Sequence, residues 1–250
     1  MKYDTVKITD KIAIIGDVHG CHVLLLEIIA KLENIGIEKF VFLGDLVDRG
    51  PQSFEVVQTV SNLVTQGRAI SVIGNHDWKL LRFLDGKDVR MGNEQLATLK
   101  SIGDERLDDF KNNYINIFKD MNIFLIDEEN RFIISHAISL RPKKVHDIIT
   151  DSKSNINKNF WTGFLYGKSE SHALGVDAFP KRLPISYNSE DDMDGWKSIV
   201  GHYHTKDLYL ENGNKNVICV DFCAGEGGRL AALTFTEQLT MDVVFSDSYL

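Results

Sequence analysis

The chain has 250 residues, 43% hydrophobic, 26% charged and 10% aromatic, so it is long enough to bury one sizeable core and too evenly mixed to be disordered or fibrous. Its 36 acidic and 28 basic residues leave a formal charge of -8, which removes any general attraction to nucleic acid or anionic membranes. A polyanionic substrate must therefore be drawn in by a local site.

Short apolar runs that stop at glycine or a small polar residue predict buried strands at Ile12 to Ile15, Phe40 to Leu43, Ile70 to Ile73, Phe132 to Ile134 and Ile199 to Val200. Helical patterns fill the first gaps. Val23 to Leu32 is apolar on most sides, and Ser53 to Val64 places Phe54, Val57, Val60 and Val64 on one face. Strand, helix, strand alternation implies βαβ units and a parallel sheet. Asn93 to Met121 reads as one or two helices, with Leu96, Leu99 and Ile102 and then Phe110, Tyr114, Ile117, Phe118 and Met121 turned inward. Strand-like segments follow at Asn122 to Ile126, Asp207 to Leu210, Val217 to Val220, Leu230 to Thr236 and Met241 to Phe245, which predict a second, more antiparallel sheet. The expected architecture is a four-layer αββα sandwich with two mixed sheets, a three-layer arrangement being the other reading of the same periodicity. One domain over residues 1–250 is expected, with the irregular segment 141–195 as a surface insertion near the site.

Met1 to Asp10 has no apolar core of a signal peptide, and no uncharged run approaches the ~18 residues that span a bilayer. Cys21, Cys219 and Cys223 are too few for a disulfide framework and read as free, small, semi-buried residues. A cytoplasmic protein is the expectation.

The functional signal is that polar, metal-liking side chains stand directly after the apolar runs: Gly16-Asp17-Val18-His19-Gly20, Gly44-Asp45-Leu46-Val47-Asp48-Arg49-Gly50-Pro51, Gly74-Asn75-His76-Asp77, Ser135-His136-Ala137 and Gly201-His202-Tyr203-His204. In such sheets the carboxyl ends of strands form one binding edge, so these groups are expected to converge. Two divalent ions some ~3.5–4 Å apart repel each other, and a carboxylate bridging both lowers that cost; Asp45 is the bridging candidate. Imidazole and carboxamide add no charge, so Asp17 and Asp45 leave the site net positive. That surplus would attract phosphate and lower the pKa of bound water.

These five motifs, in this order from residue 16 to 204, resemble the calcineurin-like metallophosphoesterase superfamily. They are most similar to its branch of PPP-type serine/threonine phosphatases and bacterial diadenosine tetraphosphate hydrolases. The resemblance implies one metal site of Asp17, His19 and Asp45 and a second of Asp45, Asn75, His136 and His202. His204 matches a further histidine that binds the first metal in the wider superfamily. His76 matches the proposed general acid with Asp77 orienting its ring, and Arg49 the arginine that grips substrate phosphate, with Asn75 also touching substrate. Asn216 to Ala232 resembles a segment of the small bacterial members and places Asp221 near the site, with Phe222-Cys223 where those members have Thr-Gly. Asp48 is expected to support Arg49 or its loop, and Asp221 to serve a structural or supporting role.

The function implied is hydrolysis of phosphomonoesters, phosphoprotein or small phosphorylated molecules, by a hydroxide held between two divalent metals. Manganese is expected first, with iron or zinc also suited to the ligands. A diadenosine polyphosphate hydrolase, a nucleic-acid end phosphatase and an inactive regulatory module are the alternatives; the balanced charge of the insertion disfavours nucleic acid. His22, His146 and His172 are read as solvent or loop contacts, and Trp161, Trp196, Tyr166 and Tyr187 as packing residues.

Overall fold

A computed structural model describes residues 2–120, 122–137, 163–166, 195–206 and 216–248. In chain order it gives β1 (Lys2–Thr5), β2 (Ile12–Ile15), α1 (His22–Asn34), β3 (Lys39–Phe42), α2 (Ser53–Thr65), β4 (Ala69–Ser71), α3 (Asn75–Leu84), α4 (Asn93–Ile102) and α5 (Leu107–Phe118). Then follow β5 (Asn122–Asp127), β6 (Phe132–Ser135), β7 (Lys197–Val200), β8 (Val217–Cys219), β9 (Ala231–Phe235) and β10 (Met241–Phe245).

The strands form two five-stranded mixed sheets, ordered β10-β9-β2-β3-β4 and β1-β5-β6-β7-β8. In the first, β2, β3 and β4 run parallel, with Ile14 opposite Val41 and Val41 opposite Ile70. In the second, β6, β7 and β8 run parallel, with Ile134 opposite Ile199 and Ile199 opposite Ile218. Period-two alternation then sorts the side chains. Ala13, Ile15, Phe40 and Phe42 turn toward Leu25 and Ile28 of α1, Val57 and Val60 of α2 and Phe110 of α5. Ile12, Ile14 and Val41 turn the other way and meet Leu125, Ile134, Ile199 and Ile218 between the sheets. Each such side chain contributes about 1.5–3 kcal/mol on burial, which makes these two layers the main adhesive of the fold. On the outer face of the second sheet, Phe124 stacks on Phe164 of the helical turn 163–166 at 4.8 Å between centroids.

Several expectations need correction. The second sheet is not the more antiparallel one: among its pairings only β5 with β6 is antiparallel. The antiparallel strands at Leu230 to Thr236 and Met241 to Phe245 join the first sheet instead, where β9 lies against β2 with Ile14 opposite Leu233. A strand's own pattern says that it is buried but not which open edge receives it. Helix α3 was not expected, because its sequence NHDWKLLRFL buries only Asp77 and Leu80; the Asp77 carboxylate accepts from the Gly74 N–H and so caps the first turn. Strand β1 was also unforeseen in a polar N-terminus. On α4 the buried face is Gln95, Thr98 and Ile102, while Leu96 is 52% exposed. The segment Asp207 to Leu210, and residues 141–195 apart from 163–166 and Gly195, lie outside the described residues.

Candidate metal centre

The carboxyl ends of β2, β3 and β4 in one sheet and of β6, β7 and β8 in the other meet at a single rim. Backbone contacts lock the loops there: the His19 N–H donates to the Asp45 carbonyl (2.9 Å), the Gly201 N–H to the His136 carbonyl (2.9 Å) and the Thr205 N–H to the Asp221 carbonyl (3.0 Å). His19, Asp45, Asp48, Arg49, His202 and Cys223 all hold a positive φ, a conformation that costs non-glycine residues about 1–3 kcal/mol and concentrates where side chains are aimed for function. Gly201 and Gly74 are required by proximity. A Cβ on Gly201 would stand 2.0 Å from Asp17 Oδ1, and one on Gly74 would stand 2.1 Å from Asp45 Oδ1.

His136 anchors the larger cluster. Its Nδ1 lies 2.9 Å from the Leu43 carbonyl, which can only accept, so Nδ1 carries the proton and Nε2 a bare lone pair. Around that lone pair stand Asn75 Oδ1 at 2.9 Å, His202 Nδ1 at 3.2 Å and Asp45 Oδ2 at 3.4 Å. His19 is set the same way: Nδ1 donates to the Val47 carbonyl at 2.9 Å and Nε2 faces Asp45 Oδ2 at 3.7 Å. Asp45 thus faces both groups, and ligand-type atoms of His19, Asp45 and His76, and of Asp45, His136 and His202, each lie within 4.8 Å of one another. Asp17 is buried beside them, its oxygens accepting from the His202 N–H at 3.2 and 3.1 Å.

Electrostatics fits the same use. Burial holds His19 and His136 below the ordinary imidazole range, and burial followed by repulsion from His136 brings His202 down to about 3, so each ring favours its neutral form, the form that can ligate a cation. Burial alone would raise Asp45, yet the rings of His136, His76, His19 and His202 carry it below the usual carboxylate range. Burial, then repulsion from Asp221 and Asp45, drives the Asp17 carboxyl well upward, and burial also raises Asp221. Converging lone pairs and carboxylates that repel one another are what divalent cations neutralise. The donors of this chain therefore fit a two-cation site of Asp17, His19, Asp45, Asn75, His136 and His202.

His204 has Nε2 at 3.8 Å from Asp221 Oδ2 and Nδ1 at 3.4 Å from Glu226 Oε2, and Asp221 is in turn the carboxylate that most repels Asp17. The expected pairing of His76 with Asp77 is not found. His76 Nδ1 meets Asp48 Oδ2 at 2.7 Å, while Asp77 is wholly buried and accepts from the Gly74 and Leu46 N–H groups (both 3.1 Å) and the Tyr114 hydroxyl (2.9 Å). As the third residue of α3 it points back along the helix, away from its neighbour's ring. Asp48, expected to support Arg49 or its loop, places its carboxylate on His76, and is itself fixed by Gln95 Nε2 (2.5 Å) and Thr98 Oγ1 (2.7 Å).

Arg49 reaches Glu226 Oε1 through Nη1 at 3.5 Å and Glu94 Oε2 through Nε at 3.9 Å, at the lip of the cluster. Beside His76 opens a cleft of about 550 Å³ lined by Asn75, His76, Lys79, Glu94, Gln95 and Tyr166. Glu94, Gln95, Thr98 and Glu226 went unread in the sequence. The one available signal was Gln95 and Thr98, spaced three apart on a helix and sharing a face. Of the residues read as incidental, His22 bonds Thr59 Oγ1 at 2.9 Å and Trp196 packs under the second sheet; His146, Trp161, His172 and Tyr187 lie outside the described residues.

Comparison with known proteins bears on this geometry. The model of the calcineurin-like phosphoesterase family matches residues 10–246. The asymmetrical bis(5'-nucleosyl)-tetraphosphatase PrpE of Anoxybacillus flavithermus is 30% identical over 242 residues, 92% of each chain. Its namesake in Oceanobacillus iheyensis is 35% identical over 240 residues, 91% of this chain and 90% of the relative. A solved protein serine/threonine phosphatase from Saccharomyces cerevisiae, with similarity to human phosphatase PP5, shares the fold at a TM-score of 0.59 and 14% identity, covering 98% of this chain and 84% of that one. With the family's pattern running nearly end to end and the two sheets delivering its side chains to one rim, the chain belongs to the calcineurin-like phosphoesterases.

Proposed function

We propose that this phosphoesterase hydrolyses dinucleoside polyphosphates at a two-metal centre, releasing a nucleoside monophosphate from one end. The observation that carries this reading is the cleft of about 550 Å³ that opens from Asn75 and His76, a size that ordinarily encloses a nucleoside-sized group. The names of relatives 30% and 35% identical over nine-tenths of the chain support it. Family membership implies divalent metal ions, and manganese is the metal we assign.

When bound, two such cations supply the Lewis acidity that draws in phosphate and makes water a nucleophile near neutral pH. Asp17, His19, Asp45, Asn75, His136 and His202 would hold them. The remaining work falls to other side chains. Arg49 offers a planar fork to two phosphoryl oxygens, exchanging Glu94 and Glu226 for substrate. His76 is held by Asp48 through Nδ1, which leaves Nε2 to give a proton to the departing oxygen. Water forms the new P–O bond, the anhydride P–O bond breaks, and the second phosphate leaves with the rest of the nucleotide.

A second reading, hydrolysis of phosphomonoesters as by the serine/threonine phosphatases, rests on the same metal cluster and makes no use of the cleft. Manganese-loaded enzyme should be compared on diadenosine tetraphosphate, a phosphoserine peptide and phenyl phosphate, with products separated by ion exchange. The proposal expects the highest kcat/KM on the dinucleotide, yielding AMP and ATP. A higher value on either monoester would replace it with the second reading.

A further inference from the structure

Lys79 is a cation in the cleft that the chemistry above leaves unused. It follows His76 by three residues on α3, a spacing that puts both on one face of the helix, and both line the cleft of about 550 Å³. Its Nζ uses one of an ammonium's three donors on Gln95 Oε1 at 3.0 Å. No carboxylate among the described residues pairs with it. Glu94, the acid in the cleft lining, faces Arg49 Nε at 3.9 Å and His76 Nδ1 at 3.8 Å instead. A half-buried ammonium with donors to spare, set in the wall of a cleft, is a seat for an anion.

Gln95 fixes where that ammonium sits. Its Oε1 accepts from Lys79 Nζ and from the Gly92 N–H, both at 3.0 Å, while its Nε2 donates to Asp48 Oδ2, the oxygen that holds His76 Nδ1 at 2.7 Å. Lysine and a backbone N–H can only donate, so the amide has one orientation, and Lys79 is docked on the same network that orients the proton donor. The first turn of α4, Gly92 to Gln95, lines the cleft as well and turns the positive end of that helix toward it. His76 marks the leaving side of the reaction, because its Nε2 gives the proton to the departing oxygen. Whatever is bonded beyond that oxygen enters the cleft along α3 and meets Lys79 next, side chains at this spacing being about 5–6 Å apart at Cβ.

We propose that Lys79 binds the polyphosphate of the leaving nucleotide, beyond the bond that breaks, and so selects an anhydride-linked substrate over a monoester. This inference rests on the dinucleotide reading above and names the residue that enforces it. A phosphoserine peptide or phenyl phosphate presents uncharged carbon at that place and leaves the ammonium unanswered, whereas a leaving polyphosphate offers it charged oxygens. The two cations of the site then divide the substrate between them. Arg49 grips the attacked phosphoryl group with a rigid fork, and Lys79, a point charge on a flexible stem, follows the phosphate chain without demanding one orientation.

The test uses the full-length, manganese-loaded enzyme with Lys79→Gln, Lys79→Arg and, as a control for bulk charge, Lys87→Gln, whose side chain is 60% exposed beside Asp85. Lys79→Gln should lower kcat/KM on diadenosine tetraphosphate at least about tenfold more than on phenyl phosphate, the loss expected for one charge-assisted phosphate contact. In calorimetric titration it should weaken binding of a methylene-bridged ATP analogue by a similar factor relative to inorganic phosphate. Lys79→Arg should recover most of both effects, and Lys87→Gln should show neither. Equal losses on the two substrates and on the two ligands, or the same selective loss in Lys87→Gln, overturn the proposal. A wild type that prefers the dinucleotide while Lys79→Gln leaves the calorimetric ratio unmoved removes the subsite and keeps the dinucleotide reading. A wild type that prefers a monoester sinks that reading, and the calorimetric ratio then decides the phosphate subsite by itself.

Discussion

Asp48→Asn and Asp77→Asn separate catalysis from architecture, because the two carboxylates look interchangeable in sequence and differ completely in partners. In Asp48→Asn the amide oxygen can still accept from His76 Nδ1 and Gln95 Nε2, while its new NH₂ turns to Thr98 Oγ1, a hydroxyl able to accept as readily as donate. No buried group is orphaned. What is lost is the charge in the hydrogen bond to His76, the difference between about 1.5–3 kcal/mol for a charged acceptor and about 0.5–1.5 for a neutral one. If all of that is felt at the proton-donating step, a loss of about 1–2 kcal/mol lowers kcat roughly five- to thirtyfold. In Asp77→Asn one oxygen can serve Leu46 N–H and the Tyr114 hydroxyl, but the amide nitrogen then opposes the Gly74 N–H, and the flipped rotamer opposes Leu46 instead. One backbone donor is stranded in either case. That costs about 1–3 kcal/mol of stability, or roughly 2–12 °C in Tm for a chain of this size. The assay is kcat and KM on phenyl phosphate, whose poor leaving group exposes any deficit in protonation, alongside calorimetric Tm for both variants. The reasoning is refuted if Asp77→Asn loses kcat at a temperature where it is folded while Asp48→Asn keeps it.

Further expectations follow from other contacts. His76→Ala should lose more rate on phenyl phosphate than on diadenosine tetraphosphate, because a departing phosphate with a pKa of about 6 needs far less protonation than a phenolate of about 10; equal losses would remove His76 as proton donor. Gly201→Ala sets a methyl group 2.0 Å from Asp17 Oδ1, so the carboxylate must move and metal affinity should fall at least tenfold by competition titration, and unchanged affinity would take Asp17 out of the ligand set. Chelation should lower Tm, since a ligand at a thousandfold excess over its Kd adds about 4 kcal/mol, or roughly 8–16 °C here; a Tm indifferent to chelator would argue that the centre binds no metal. Glu27 ties α1 to the C-terminal segment by accepting from the N–H groups of Asp247 and Ser248 (both 3.1 Å), and its bonds to Ser248 lower its pKa. A lowered carboxyl stabilises above its unfolded value and loses that contribution as pH falls through its folded one. Protection of the Ser248 amide, taken as its exchange rate relative to the intrinsic rate at each pH, should therefore fall as the pH drops below about 4, and Glu27→Gln should abolish that dependence; an unchanged profile would mean the tether does not form.

Chain order alone made the chemistry of this protein legible, because the candidate ligands sit directly behind short apolar runs. An apolar run ending in glycine dictates a buried strand and a sharp exit, and parallel strands present their exits at one edge, so Asp17, Asp45 and Asn75 converge in one sheet and His136 and His202 in the other, while the meeting of the two edges came from the packing of the sheets. Contacts between elements with no sequence relation were settled only by packing. The partner of His76 turned out to be Asp48 because α3 begins at Asn75 and its first turn aims Asp77 inward at backbone donors. The burial of Gln95 and Thr98 in place of Leu96 answers a carboxylate 47 and 50 residues away. Which sheet received β9 depended on the open edge of β2, and the meeting of His204 and Asp221 depended on β7 and β8 lying side by side. Local pattern records how deeply a residue is buried; which distant group it meets there is fixed only once the whole chain has closed its sheets.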